Sequence, residues 1–354
     1  MKNFSRSRHH VLIPGKTFLL GEYLALAGGP SIVANTAPCF DFSWQSERDD
    51  EADAVSSVAV AASVRHPFHK NSPAGQWLKG AVANLHNSRV EHLIQFSDPH
   101  NGRGGLGAST AEFIGAWIFR KWLKNPEEWS QVGSLVTAVN DHRQHVTPNW
   151  KSERFGSARF RDLLDDYRTT TTTGSGADLV SQIAGAIAVW DARADEMRRF
   201  NWPFRDLSFS LFVTGKKLAT HEHLAKMNPL TPSEIDDMRI WVEEAVQSMA
   251  LEDADRFIAS VRGFGKVLSS TGRVAEHSRE LLEELGDCSG VRAAKGCGAM
   301  GSDILFVLHD RSQAAELDGF RETHSLRIAG TNADVVAAGA SIEKYSAFLE
   351  EAAT

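Results

Sequence analysis

Along residues 9–44 the apolar positions come in short runs broken by turn formers, not at helical intervals. HHVLIPGKTFLL (9–20) reads as two short strands separated by a Pro14-Gly15 turn, and SIVANTAPCFDFSW (31–44) continues the β character. Residues 46–53 are polar and acidic, as in an exposed hairpin tip or loop. Another strand is expected at Val90–Phe96, then the turn-rich SDPHNGRGGLG, then at once a helix. Phe113, Ile114, Trp117 and Ile118 recur at helical spacing there, behind Ser109 and Glu112 at capping-box spacing. Ala186–Trp190 and Leu207–Val213 are strand-like.

The pattern changes beyond this point. Ile235, Met238, Trp241, Val242, Ala245 and Met249 fall on one helical face after an N-cap expected at Ser233. Residues 251–270 and 273–285 predict two more helices. Val291–Lys295, a glycine turn, a strand at Ile304–Leu308 and a helix from about Ser312 follow. Strands and helices alternate without a regular βαβ count, which implies an α+β fold with a boundary near 205–215. The threonine run 169–173 is too short to make a disordered domain, and no repeat is visible.

Three glycine loops carry the candidate chemistry. Gly15-Lys16-Thr17 imitates the end of a P-loop, but His10 occupies the leading glycine position. Lys16 nevertheless sits at a strand-turn edge from which an ammonium reaches an anion. In Gly102-Arg103-Gly104-Gly105-Leu106-Gly107-Ala108-Ser109-Thr110, glycines would let backbone N–H groups approach a phosphate at the start of a helix. Gly102, Gly104 and Gly107 also satisfy GxGxxG, yet no second strand ending in an acid follows about 20 residues on, as a dinucleotide fold requires. The third loop, Lys295–Asp303, matches GxGxxG again but leads into a strand. Between them, GSGAD ends in Asp178, placed either as a general base reached past small residues or as a helix cap.

Composition narrows the function classes. The chain has 354 residues, with 38 basic against 45 acidic ones and a formal charge of −7, so no overall basic field exists to hold nucleic acid or an anionic membrane. Three cysteines, an odd number without metal-ligand spacing, argue against a disulfide framework. The apolar run Val11–Ile13 is too short for a secretory segment and no stretch approaches a membrane span, so a soluble, cytoplasmic protein is expected. His142 with His145, and His221 with His223, lack a third ligand at recognisable spacing. There is no HExxH or GxSxG. The tryptophans fall mostly on apolar faces and read as core.

Taken in order, these motifs resemble the GHMP kinase superfamily, and within it the mevalonate and phosphomevalonate kinases. PGKTFLLGEYLALAGGPSIVA (Pro14–Ala34) is similar to the first motif, Gly105–Thr110 (GLGAST) to the phosphate loop GLGSSA, GSGAD to the catalytic-aspartate segment, and Lys295–Asp303 to the C-terminal glycine motif. The resemblance implies an N-terminal α/β domain over 1–207 and a C-terminal ferredoxin-like α+β domain over 208–354. It implies transfer of the ATP γ-phosphate to mevalonate or phosphomevalonate, in isoprenoid precursor synthesis. Gly104, Gly105, Leu106, Gly107, Ala108, Ser109 and Thr110 would cradle ATP, with Ser109 a Mg²⁺ ligand. Asp178 would take the acceptor proton or orient the acceptor, and Lys16 would balance transition-state charge. Glu22, Tyr23, Gly298 and Ala299 would line the substrate pocket. The partner would be a small molecule, with a homodimer left open.

The sequence departs from the pattern at several points. Ala108 replaces the first serine and Thr110 the usual alanine, while Cys297, Met300 and Ser302 interrupt the last motif. The second Mg²⁺ carboxylate of mevalonate kinases, eleven residues before the aspartate, falls on Tyr167, with Asp165 and Asp166 beside it. Gly21-Glu22-Tyr23 resembles the phosphomevalonate kinase version, whereas the decarboxylase KYWGK segment and the galactokinase and homoserine kinase signatures are absent. Two rivals stay open: a catalytically silent nucleotide-binding relative, motivated by Met300 and Tyr167, and an NAD-dependent dehydrogenase, motivated by Gly102–Gly107.

Overall fold

The computed structural model describes residues 7–48, 63–82, 90–129, 154–155, 158–171, 174–216 and 228–346. Two sheets organise them. In the seven-stranded first sheet, β1 (Ser7–Leu20) and β2 (Pro30–Arg48) run antiparallel at the centre. β3 (Ser63–Arg65) lies parallel to β4 (Val90–Ser97), which pairs with residues 41–48 of β2. A two-stranded ribbon, β5 (Arg154–Phe155) and β6 (Ala158–Arg159), stands apart. β7 (Ile187–Asp191) pairs with residues 30–34 of β2, and β8 (Glu196–Phe200) with β7.

The two strands expected over 9–20 are one. Pro14 has no N–H for the ladder, and the chain absorbs it by a register shift between Ile13, opposite Phe40, and Gly15, opposite Thr36. The strand continues, and the Pro14 carbonyl leaves the ladder for another partner.

Helices cover this sheet. α1 (Pro73–Val82), α2 (Ala108–Lys124), α3 (Pro126–Trp129), α4 (Phe160–Thr170) and α5 (Ala177–Ala184) follow in chain order. Phe113, Ile114, Trp117 and Ile118 of α2 are fully buried, as their spacing predicts. Gly115 lets the helix come down on β2: a Cβ there would lie 2.2 Å from the Phe42 ring.

The second sheet has the order β10-β11-β9-β12 and is antiparallel throughout. Its strands are β9 (Leu207–Val213), β10 (Val291–Cys297), β11 (Ile304–Asp310) and β12 (Arg327–Thr331). α6 (Pro232–Leu251), α7 (Ala254–Ser270) and α8 (Glu276–Asp287) lie between β9 and β10 in the chain, and α9 (Glu316–Thr323) between β11 and β12. This is the β-α-β-β-α-β course of a ferredoxin-like unit. The apolar run of β11 fits a strand covered on both faces: Leu305 and Val307 join Leu285, Leu317 and Leu326 on one side, while Ile304, Phe306 and Leu308 join the main core on the other. The cap of α6 lies two residues earlier than expected, at Thr231, whose hydroxyl and the Glu234 carboxylate form a reciprocal capping box in place of a Ser233 cap.

The final strand, β13 (Ser341–Ser346), leaves the second sheet and pairs antiparallel with residues 7–12 of β1. Among the described residues, no helix is long and apolar enough to cross a membrane. The pairs His142/His145 and His221/His223, and residues 49–53 of the expected hairpin tip, lie outside the described residues.

Candidate active site

The site forms where β1, the start of α2 and the start of α5 meet. Lys16 is buried on β1, and its backbone N–H donates to the Leu106 carbonyl at 3.0 Å, tying the strand to the glycine loop. Its Nζ lies 3.0 Å from Oδ2 of Asp178 in the first turn of α5. Phe18 supports the ammonium from below, with its ring centroid 5.0 Å from Nζ. Asp178 keeps about a third of its side chain in solvent, so one face of the pair stays open.

The glycine loop differs in detail from the capping-box expectation. α2 begins at Ala108, and its cap is Gly107 at φ 89° with no side-chain hydrogen bond; Ser109 sits inside the first turn and is exposed. Only glycine fits this cap, because a Cβ would stand 2.7 Å from Cγ of Lys16. The first-turn N–H groups of a helix have no intrahelical acceptor and favour an anion there. Leu106 is core, and the Thr110 hydroxyl is turned inward to the Gly107 carbonyl at 2.9 Å and to Gln182.

The C-terminal glycine motif closes over the same loop. The Asp303 side chain packs on the glycines: a Cβ would lie 2.6 Å from its Oδ1 on Gly104, and 2.5 Å from its Oδ2 on Gly298. Met300 holds φ 56°, a left-handed conformation that glycine adopts more readily. It is fixed from both sides, its N–H donating to the Tyr23 hydroxyl at 2.9 Å and its carbonyl accepting from Ala275 N–H at 2.8 Å. Burial, with the nearby Glu22 carboxylate adding to it, pushes the Tyr23 phenol up to about 12 despite the Met300 hydrogen bond. Ala299 lies in the same turn, residues 299–301.

Glu22 faces inward. Its Oε1 is 2.8 Å from Nζ of Lys295, and both side chains are buried. Burial works against the Lys295 ammonium, but the Cys297 sulfur at 3.3 Å and the Glu22 carboxylate outweigh it and hold its pKa above the ordinary lysine value.

Tyr167 is no metal ligand: it is buried edge-on against Phe113, and burial together with the Asp178 carboxylate drives its phenol well above the usual tyrosine range. Asp166 accepts from the Trp117 indole N–H at 2.8 Å, and Asp165 is exposed. Among the described residues, no group of three or more His, Cys, Asp or Glu side chains could hold a metal ion. The exposed Ser109 hydroxyl, in the first turn of α2, is an oxygen donor of the kind Mg²⁺ accepts.

Two residues outside the sequence reading help shape the site. Gln182, one turn after Asp178, links the loops through its side-chain amide. His100, buried in the turn before the glycine loop, packs its ring against Gly15, where a Cβ would meet Nε2 at 3.0 Å. Neither carries a motif signal, since a lone glutamine and a lone histidine are common in cores.

No family sequence model matches the chain, and no curated protein matches it by sequence. Solved structures do match. Streptococcus pneumoniae phosphomevalonate kinase, in complex with phosphomevalonate and AMPPNP, superposes with a TM-score of 0.63 at 14% identity, covering 91% of this chain and 98% of that one. L. major mevalonate kinase in complex with R-mevalonate gives 0.59 at 13%, over 92% and 95%. Homoserine kinase from Cytophaga hutchinsonii gives 0.60 at 11%, over 97% and 99%. The fold is that of the GHMP kinases. A dinucleotide reading of Gly102–Gly107 needs a strand after α2 lying parallel beside β4; among the described residues β4 pairs parallel with β3, which precedes it, and antiparallel with β2, so that unit is missing.

Proposed function

We propose that this chain is an ATP-dependent small-molecule kinase of the GHMP type, acting on mevalonate or mevalonate 5-phosphate. The observation that carries the reading is the Lys16–Asp178 pair, 3.0 Å apart and set against the N-terminus of α2, assembled from segments far apart in sequence. Phosphoryl transfer asks a protein mainly for positioning and charge neutralisation. The backbone of Gly104–Ser109 binds the triphosphate, and Thr110 contributes its N–H while its hydroxyl braces the loop. Asp178 accepts the proton of an acceptor hydroxyl at its exposed face, or orients an acceptor phosphate. Lys16 neutralises charge that builds on the transferred group. Ser109 would hold the Mg²⁺ of the nucleotide, which would supply charge neutralisation when bound. Glu22, Tyr23, Gly298 and Ala299 form the pocket wall, the first two through Lys295 and the Met300 turn. The chain divides into a nucleotide-binding part, 1–207, and a C-terminal part, 208–354, whose strand β13 returns to the first sheet.

The test is a coupled ADP-release assay with Mg·ATP and mevalonate, mevalonate 5-phosphate, homoserine or no acceptor, run beside Asp178→Asn. Release that needs a mevalonate-type acceptor and collapses in Asp178→Asn is expected. Release with homoserine alone would overturn the acceptor assignment. ATP binding without release on any acceptor would favour the silent relative, for which the buried Tyr167 in place of a metal carboxylate is the structural argument.

A further inference from the structure

The side-chain amide of Gln182 is completely buried and ties α5 to two segments that the motifs treat as separate, the Pro14 turn and the glycine loop. Its Nε2 donates to the Pro14 carbonyl at 2.9 Å and to the Gly107 carbonyl at 3.2 Å. Its Oε1 accepts from the Thr110 hydroxyl. Two carbonyls on one side require a donor there, so the amide has a single satisfactory orientation. The Pro14 carbonyl is the one that the bulge in β1 turns out of the ladder, two residues before Lys16. Gly107 is the cap of α2, and Asp178 precedes Gln182 by four residues, on the same face of α5. The packing is tight as well: a Cβ on Gly107 would meet both Cγ of Lys16 at 2.7 Å and Nε2 of Gln182 at 2.9 Å.

We propose that Gln182 is a positioning residue. Its amide sets the spacing between the Lys16–Asp178 pair and the anion-facing start of α2, and Thr110 orients the amide. Thr110 stands where the resembling loop has alanine, which has no hydroxyl to engage the amide oxygen. A buried amide with both ends engaged holds its neighbours to a narrow geometry, and a shift of about 1 Å between reacting groups is enough to reduce a rate by about two orders of magnitude. The turnover readout below rests on the kinase reading; the labelling readout does not.

The test replaces Gln182 with Met, which has similar length and no hydrogen-bonding amide, and with Asn, which withdraws the amide by one methylene. Lysine acetylation by acetic anhydride is followed peptide by peptide. Lys295 is the internal control, since it is also buried and ion-paired but lies on the other sheet. The expected result is that Lys16 reacts roughly tenfold faster in either variant while Lys295 is unchanged. Acceleration at both lysines would mean general loosening and would overturn the proposal, as would no change at Lys16. In the active protein, kcat should fall at least about tenfold while the ATP Kd moves less than about threefold. Thr110→Val added to Gln182→Met should do no further harm, and additive effects would remove Thr110 from the assignment. If the unaltered chain turns over no acceptor, the kinase reading fails and the acetylation ratio alone decides the role of Gln182.

Discussion

The ammonium of Lys295 lies 2.8 Å from Oε1 of Glu22, and the pair joins the strand β10 of the second sheet to the segment leaving β1 of the first. The two side chains are only 1% and 7% exposed, so neither charge has solvent to fall back on. Removing one partner leaves the other buried and uncompensated, which costs about 3–5 kcal/mol, whereas removing both costs much less. Lys295→Met should therefore lower the denaturation midpoint strongly, and Lys295→Met with Glu22→Leu should recover most of the loss. Urea unfolding of both variants checks this.

Tyr23→Phe deletes the acceptor of the Met300 N–H and leaves the left-handed turn at 298–301 with its internal Gly301 N–H to Gly298 carbonyl bond and the Ala275 contact. A loss of about 1–2 kcal/mol is expected from the unpartnered amide. Hydrogen exchange at Met300 should accelerate by more than global unfolding explains. Unchanged exchange would show that the turn is fixed without the tyrosine.

Gly107→Ala introduces a methyl group 2.7 Å from the Lys16 stem at a φ of 89°. The left-handed strain alone costs about 1–2 kcal/mol. The clash displaces either Lys16 or the Gln182 amide. Turnover should drop by about two orders of magnitude while the far-UV spectrum stays native. ATP binding, read by calorimetry, should weaken as well, since the first turn of α2 shifts with its cap.

Glu112 provides a pH test. Burial, reinforced by the Asp98 carboxylate, pushes it up to about 7. Between the ordinary glutamate value and 7, the folded chain holds a proton that the unfolded chain has released. This group's contribution to stability therefore falls as pH rises through that window. Above it the carboxylate is ionised in both states and destabilises the fold, by an amount on the order of 1 kcal/mol given its partial solvation. Glu112→Gln should melt above the unaltered chain near pH 8, with the gap narrowing toward about pH 5. A gap independent of pH would rule out Glu112 as its source.

β11 was legible from the uninterrupted apolar run Ile304–Leu308, whose two faces are both covered, and β9 from Leu207, Phe209 and Leu211 alternating with serines. β8 was not, since EMRRF alternates charged exposed positions with buried ones and has no turn signal of its own. α4, FRDLLDDYRTT, was hidden by its charges, although Leu163, Leu164 and Tyr167 mark a buried stripe. Pro14 promised a break where the fold makes a bulge, because a missing N–H can be absorbed by skipping a ladder position. At the site, Lys16, Asp178 and the glycine loop could be found from residue types. Gln182 could not: its partners are backbone carbonyls 168 and 75 residues away, and carbonyls leave no trace in a sequence. Thr231-Pro232-Ser233-Glu234 did contain its capping signal, two residues before the position expected.

The pairing of β13 with β1 bears on how the chain is made. Synthesis proceeds from the N-terminus, so residues 7–12 leave the ribosome long before residues 341–346, their neighbours in the finished sheet. Throughout that interval β1 presents an unfilled edge of backbone donors and acceptors, able to pair with any strand nearby. The His10–Asp41 contact at 2.9 Å sets a polar pair with an acidic side chain beside this stretch, a feature that discourages stray pairing. The sheet beneath Lys16 and the glycine loop is sealed only when β13 arrives.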